Sequence, residues 1–195
     1  SSRGLGDVYK RQPLEEAEEL LGGAMTLYAR IPLWQKETAE FMNKNGFTLT
    51  AFGTKRHATP DLYSSDKGKV SRQHRQGTNA TIQGTAAEML RIVLTGIVRR
   101  NLLNTLRMVF FAPVYDEVVA FVHKDDVVEY CRHMDEIMRA ATPPSHVVPQ
   151  IPEFSIGCDW GRIHELGRWP GEQAIIDCVA RSLDDGKEVW EQMAA

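Results

Sequence analysis

The apolar residues at the start of the chain recur with helical spacing. Residues 14–27 form an acidic run with apolar periodicity, which predicts a helix weakened by two adjacent glycines. Residues 32–45 predict a second helix that begins at a proline and ends before Gly46, a residue suited to a left-handed cap. Alternation over residues 47–52 then predicts a strand entering a turn, whereas the polar, basic residues 54–76 predict a loop-rich segment.

Helical and strand periodicities alternate in the rest of the chain. A long half-buried helix is predicted over residues 84–103, where apolar residues follow the i, i+3, i+4, i+7 spacing. Residues 125–141 predict an amphipathic helix that two prolines end, and residues 172–193 predict a terminal helix. Residues 153–158 predict a short strand between these two helices. The predicted fold class is therefore α+β.

A β-hairpin with an acidic turn is predicted near the middle of the chain. Two apolar runs, residues 106–114 and 118–123, are separated by Tyr115, Asp116 and Glu117. Adjacent carboxylates repel each other unless a positive charge compensates them. A magnesium ion is one such compensator, because hard cations bind carboxylate oxygens, and a solvated acidic turn is the other interpretation. Taken alone, the pattern leaves both open.

Composition excludes some classes of protein. The 195 residues are 43% apolar, which is ordinary for a globular chain with a buried core. No apolar run approaches the roughly 20 residues that span a bilayer, and no secretory signal opens the chain, so we expect a cytoplasmic protein. Cys131, Cys158 and Cys178 have the spacing of neither a disulfide framework nor a zinc site.

Charge is distributed unevenly. Residues 54–107 carry 10 Lys and Arg against 3 Asp and Glu, whereas residues 108–195 carry 7 against 16. A basic block of this size can follow a phosphate backbone, and a solvated face with scattered charges is the alternative. Charge alone does not decide between these two interpretations.

Motifs that occur in order resemble those of the family A, or DNA polymerase I-like, DNA polymerases. Residues 75–88 are similar to the family's Arg-x-x-x-Asn-x-x-x-Gln-Gly-Thr-Ala-Ala-Asp/Glu segment. This motif is specific to the family. Residues 114–118, Val-Tyr-Asp-Glu-Val, resemble the motif C hairpin, usually Val-His-Asp-Glu. Residues 46–56 and 60–62 resemble the strand and loop after the fingers helices, and residues 157–160 resemble the closing Gly-x-x-Trp.

The resemblance covers roughly residues 15–160 and implies an order of domains. Residues 13–45 would end the fingers helices, residues 46–164 would form the C-terminal palm with the motif C hairpin, and residues 165–195 would be a helical tail of unknown role. The palm would be a small antiparallel sheet covered on one face by helices. Residues 1–12 resemble a translated sequencing adaptor, so we expect a non-native scar there and a chain that is a piece of a longer polymerase.

The resemblance also implies two-metal nucleotidyl transfer with Mg²⁺, using primer-template DNA and deoxynucleoside triphosphates. Asp116 would be a catalytic metal ligand, and Glu117 would support the site or the primer end. The catalytic Asp of motif A and the Lys of motif B do not occur in these 195 residues. We therefore expect the chain alone to be inactive and to need the N-terminal part of the polymerase as its partner.

Six residues are implied as DNA contacts. Arg75, Asn79 and Gln83 recur at four-residue spacing, so in a helix they would share one face and reach the same groove. Alternatively, Asn79 and Gln83 would cap a helix that begins at Gly84. The other three implied contacts are Lys55, Arg56 and Tyr115.

Tyr115 departs from the family's usual His, which puts its contact with the primer in doubt. Pro113 lacks an N–H and predicts an edge or bulged position in its strand. Such variation suits a bacteriophage or plasmid enzyme more than a bacterial repair polymerase.

Two other functions are compatible with the residues. The basic segment with an incomplete catalytic site would suit a duplex-binding module without catalysis. A phosphohydrolase or nuclease using Asp116 and Glu117 with His123 or His164 is the third hypothesis, although the histidines have no metal-ligand spacing.

Overall fold

The structure is a computed structural model that describes residues 14–194, with side chains for residues 16–187. The suspected scar, residues 1–12, lies outside the described residues. The chain divides into two compact units, one formed by the residues up to 50 with residues 54–81, the other by residues 51–53 and those from 82 onward. The elements combine helices with small antiparallel hairpins, which confirms the α+β class.

The first unit contains two helices, a short hairpin and the start of a third helix. Its elements are α1 (Leu14–Leu27), α2 (Arg30–Asn45), β1 (Phe47–Leu49), β2 (Lys55–His57), a 3-10 turn (Pro60–Tyr63) and the first half of α3 (Lys67–Arg99). Gly46 ends α2 at φ 75°, and its N–H donates to the Met42 carbonyl, as its capping role predicts. Both helices predicted for this part of the chain are confirmed.

The prediction of a loop-rich segment over residues 54–76 is wrong. Strand β2 pairs with β1 in antiparallel register, and α3 begins at Lys67, where the Asp66 carboxylate accepts a hydrogen bond from the Gly68 N–H at 2.7 Å. The buried positions in this half of α3 are Gln73 and Gly77 rather than large apolar residues. Hydrophobic periodicity therefore misses the half of the helix that packs through small and polar residues.

The second unit contains the other helices and two hairpins. Its elements are the second half of α3, α4 (Leu102–Thr105), β3 (Met108–Val114), β4 (Glu117–Val122), a 3-10 turn (Lys124–Asp126), α5 (Val127–Ala140), β5 (Phe154–Asp159), β6 (Arg162–Gly167) and α6 (Glu172–Ala194). The predicted hairpin, the helix after it and the terminal helix are confirmed. Strand β6 was not predicted, because its residues alternate only weakly and gain their partner from β5.

The helices of the second unit pack around one apolar core. Val93 and Ile97 of α3, Met134 and Ile137 of α5, and Ile175 of α6 are buried in it. Met108, Val118 and Val122 on one face of the β3–β4 hairpin pack against the same core. Among the described residues the strands form three separate two-stranded antiparallel ladders, whereas the resemblance implies one small antiparallel sheet.

Two expectations about membranes and thiols can be compared with the structure. None of the described helices combines the length and apolar character needed to cross a bilayer. Cys131 and Cys178 are buried free thiols, and burial raises the pKa of Cys131 to about 12. Cys158 is exposed and also free. A thiol with a raised pKa is a poor nucleophile.

Candidate functional site

The acidic turn joins β3 to β4 through two residues. Val114 pairs with Glu117, which leaves Tyr115 and Asp116 as the loop. Tyr115 has φ 56°, a left-handed conformation that a two-residue hairpin turn normally gives to glycine or asparagine. Its side chain is 95% exposed, so no packing within the described chain compensates the strain. A strained backbone beside charged residues is a feature that functional sites often show.

Asp116 and Glu117 are both exposed at this turn. Within the residues whose side chains are described, neither carboxylate has a hydrogen-bond or ion-pair partner, and no group of three His, Cys, Asp or Glu is placed to hold a metal ion. A magnesium ion takes one or two protein carboxylates and completes its octahedron with phosphates and waters. Two adjacent free carboxylates fit that donor chemistry as part of a site.

The face of α3 that bears Arg75, Asn79 and Gln83 is exposed along its length. All three lie in the interior of one continuous helix, so the alternative that Asn79 and Gln83 cap a helix at Gly84 is wrong. Arg75 donates to the Ser71 hydroxyl at 2.9 Å, which orients its guanidinium along the helix. The shared face expected for these three side chains is therefore present.

The same motif also contributes buried residues that sequence reasoning did not assign. The Thr85 hydroxyl accepts a hydrogen bond from the Ala51 N–H at 2.9 Å, and the buried Glu88 lies 3.5 Å from the Arg91 guanidinium. Residues at 85 and 88 fall on the side of α3 opposite to residues 75, 79 and 83. Helical phase alone could have separated these structural positions from the exposed ones.

Lys55 and Arg56 lie side by side on the exposed strand β2. The Lys55 ammonium sits 4.5 Å from the centroid of the Phe47 ring, which is a cation–π geometry. Arg56 pairs with Thr48 in the ladder, so its side chain extends from the opposite face to that of Lys55. The two cations are thus presented in different directions.

An ion pair at the base of the acidic hairpin was also missed by sequence reasoning. The backbone N–H and the guanidinium of Arg107 all donate to the Asp126 carboxylate, at 2.8 Å each. This arginine holds the pKa of the Asp126 carboxyl well below its usual range. The His123 N–H donates to the Arg107 carbonyl at 2.8 Å. The open end of the hairpin is therefore closed by hydrogen bonds as well as by the strand ladder.

The two histidines of the nuclease hypothesis have separate partners. His123 lies 3.5 Å from the Asp125 carboxylate, and the His164 imidazole lies 2.7 Å from the Asp185 carboxylate. The first contact is local to the turn after β4, and the second joins β6 to α6. No contact in the described part of the chain joins either histidine to Asp116 or Glu117.

Comparison with known proteins identifies the family. The sequence profile of DNA polymerase family A matches residues 2–162. The chain belongs to DNA polymerase family A. The match ends within the β5–β6 hairpin, so most of β6 and all of α6 lie beyond it.

The DNA polymerase I proteins of two Thermus species are similar to this chain. It is 28% identical over 148 residues to the thermostable DNA polymerase I of Thermus aquaticus, covering 76% of this chain and 17% of that protein. It is 30% identical over 159 residues to the thermostable DNA polymerase I of Thermus filiformis, covering 82% of this chain and 18% of that protein. The chain thus spans less than a fifth of the length of these polymerases. Both relatives are bacterial, so they give the expected bacteriophage origin no support.

A solved family A structure has the same fold. The polymerase domain of Pol1 from M. smegmatis, in complex with DNA primer-template and dNTP, matches with a TM-score of 0.65 and 24% identity. The match covers 73% of this chain and 25% of that one. The matched part of this chain therefore shares the fold of a solved polymerase domain.

Proposed function

We propose that this chain supplies the carboxylate hairpin and part of the DNA-binding surface of a DNA-directed DNA polymerase. The carboxylate hairpin is β3 and β4 with the two-residue turn between them, where Asp116 lies in the turn and Glu117 is the first residue of β4. The observation that carries the proposal is that two adjacent exposed carboxylates lie at this end of the hairpin, within the residues that the family profile matches. Template-directed transfer of nucleotides to a primer gathers phosphate charge, which carboxylate-bound cations can compensate.

Each carboxylate has a role within that proposal. Asp116 would hold the ion, and Glu117, the first residue of β4, would support the ion or the primer end. Bound Mg²⁺ would supply Lewis-acid stabilisation of the developing negative charge. The hairpin ladder and the Arg107–Asp126 contacts at its base limit the motion of the hairpin, and electrostatic catalysis requires charges that are held in place before the reaction.

The proposed DNA contacts lie on α3 and β2. Arg75, Asn79 and Gln83 would donate to minor-groove acceptors, which are nearly the same in every base pair and so allow binding without sequence preference. Lys55 and Arg56 would contact phosphates. The partners proposed are primer-template DNA and a deoxynucleoside triphosphate, the ligands named for the mycobacterial structure.

The proposal includes an order of domains along the chain. Residues 13–45 would end the fingers helices, residues 46–164 would form the C-terminal palm region with the carboxylate hairpin, and residues 165–195 would be a helical tail of unknown role. The motif A Asp and motif B Lys that this chemistry needs do not occur in these 195 residues. We infer that the chain by itself does not extend a primer, and that the complete enzyme acts in the cytoplasm.

The experiment is primer extension by a completed polymerase, in which an upstream family A region precedes this chain. Asp116→Asn should lower kcat by at least about 100-fold, because one charge at the reacting phosphates is removed. Asp177→Asn, an exposed carboxylate on α6, is the matched control and should leave kcat unchanged. Wild-type activity in Asp116→Asn would reject the proposed catalytic role. Primer extension by the 195 residues alone would reject the inference that they are inactive.

A duplex-binding module without catalysis is the second candidate. The exposed Arg75, Asn79 and Gln83 face favours it, since these side chains would bind duplex DNA with or without a catalytic site. Duplex binding that persists in the isolated chain and weakens steeply with salt would support this module. The Asp116→Asn test in the completed polymerase separates the two candidates.

A further inference from the structure

Trp160 contacts the carboxylate hairpin from the neighbouring hairpin. Asp159 of β5 pairs with Arg162 of β6, so Trp160 is one of the two turn residues between these strands. Its ring lies 6.0 Å from the Phe111 ring at an interplanar angle of 70°, and Phe111 lies 5.5 Å from Phe121 at 77°. Edge-to-face pairs of this kind contribute about 0.5–1.5 kcal/mol beyond area burial.

Trp160 contacts the face of the carboxylate hairpin that does not pack on the core. A two-stranded hairpin is only marginally stable by itself and needs packing on at least one face. The face bearing Met108, Val118 and Val122 packs on the core, while Phe111 and Phe121 extend from the other face. The register of the ladder shifts between Phe110 and Ala112, directly at Phe111. Trp160 therefore contacts the outer face at the irregular point of the ladder.

Residues beyond the family match contact the β5–β6 hairpin that carries Trp160. The Arg162 guanidinium donates to the Asp185 carbonyl at 3.1 Å, and His164 pairs with the Asp185 carboxylate at 2.7 Å. Ile175 and Cys178 of α6 are fully buried, so α6 is anchored in the core. The β5–β6 turn is thereby fixed to α6, which the family match does not include.

We propose that Trp160 is a positioning residue that orients the carboxylate hairpin, and that β6 and α6 hold Trp160 against Phe111. The inference rests on the proposed function, because the orientation matters for the placement of Asp116. The Trp160 ring limits motion of β3 at its register shift, where Phe111 lies four positions before Tyr115 of the turn. Misplacement of reacting groups by about 1 Å can cost on the order of 100-fold in rate.

The first test is amide hydrogen exchange on the 195-residue chain. Trp160→Ala should speed exchange of the β3–β4 ladder amides by about 10-fold while the amides of α5 and α6 keep their wild-type rates, since only local opening is affected. Trp160→Phe should restore most of the protection because it keeps a ring beside Phe111. Trp169→Ala is the control: Trp169 packs on Phe154 in the core, and its loss should speed exchange throughout the second unit. Unchanged hairpin exchange in Trp160→Ala, or an equal increase in every element, would overturn the inference.

The second test uses kinetics of the completed polymerase. Trp160→Ala should lower kcat for primer extension by about 10-fold to 100-fold with little change in the KM for primer-template, and Trp160→Phe should recover most of it. Asp116→Asn is assayed beside it. If Asp116→Asn is inactive and Trp160→Ala has wild-type kcat, only the positioning role fails. If Asp116→Asn is fully active, the proposed function itself fails, and the positioning role falls with it.

Discussion

Gly96 of α3 lies directly against the side chain of Ile137 in α5. A Cβ atom at residue 96 would fall 2.6 Å from the Ile137 Cγ2 atom, closer than such atoms approach in proteins. Both residues belong to the second unit, and Ile137 is buried in its core. The absence of a side chain at Gly96 therefore sets how closely the two helices pack.

The first prediction concerns this contact. Gly96→Ala should lower the free energy of unfolding by about 1–3 kcal/mol, because overpacking outweighs the helix propensity of alanine. Gly22→Ala in α1 is the matched control, since no atom lies within 4 Å of its Cβ position. That control should be neutral or stabilise by about 0.5–1 kcal/mol. Urea denaturation measures both changes, and a neutral Gly96→Ala would show that the helices can separate at no cost.

The second prediction concerns the strained turn. Tyr115→Gly should raise the free energy of unfolding by about 1 kcal/mol, because φ 56° suits glycine and the exposed ring loses no packing. Tyr115→Phe keeps both the ring and the strain, so it should have wild-type stability. If the proposed primer contact is right, Tyr115→Gly should also weaken primer-template binding in the completed polymerase. If Tyr115→Gly raises stability without any effect on DNA binding, Tyr115 does not contact the primer.

The third prediction concerns stability in acid. The pKa of Asp126 in the folded chain lies below its value in the unfolded chain, chiefly because of the hydrogen bonds from Arg107. Its contribution to stability is complete above the unfolded pKa and is lost as pH falls through the folded pKa. Wild type should therefore lose stability between about pH 5 and pH 2 more steeply than Asp126→Asn.

Thermal unfolding as a function of pH measures this difference. Asp177→Asn is the control, because Asp177 contacts Gln173 rather than a cation and should leave the slope of the pH dependence as in wild type. Parallel curves for wild type and Asp126→Asn would mean that the Arg107 contact does not survive in solution.

The fourth prediction concerns the salt dependence of DNA binding. Lys55→Ala and Arg56→Ala should each weaken duplex binding and reduce the slope of log K against log salt by about one, as expected for phosphate contacts. Arg168→Ala, an exposed cation in the acidic half of the chain, is the control and should have no effect. Fluorescence anisotropy over a salt series measures the slopes. An unchanged slope in Lys55→Ala would indicate that its ammonium stays on the Phe47 ring instead of reaching phosphate.

Local signals in the sequence were sufficient for much of the fold. Periodicity predicted α1 over its full length, and Gly46 was predicted as the cap because only a residue without a side chain enters the left-handed region at low cost. Two apolar runs around an acidic turn predicted the carboxylate hairpin. Ordered motifs then indicated the polymerase family, which the family match confirmed. The helix, cap and hairpin signals depend on residues within about one helical turn of each other, so they can be recognised in a single sequence.

Tertiary contacts decided the rest. The first half of α3 is hidden from periodicity because Gln73 and Gly77 occupy its buried positions. Met42 and Thr48 approach the helix at Gly77, and the Gln73 side chain accepts a hydrogen bond from the Thr59 N–H. Strands β2 and β6 are defined by their partners rather than by their own residues. The strain at Tyr115 and the contact of Trp160 with Phe111 likewise depend on backbone geometry and on residues 49 positions apart in the chain. Residues that are distant in the sequence interact only after folding brings them within van der Waals distance. The strength of such a contact depends on that distance, which the sequence does not show.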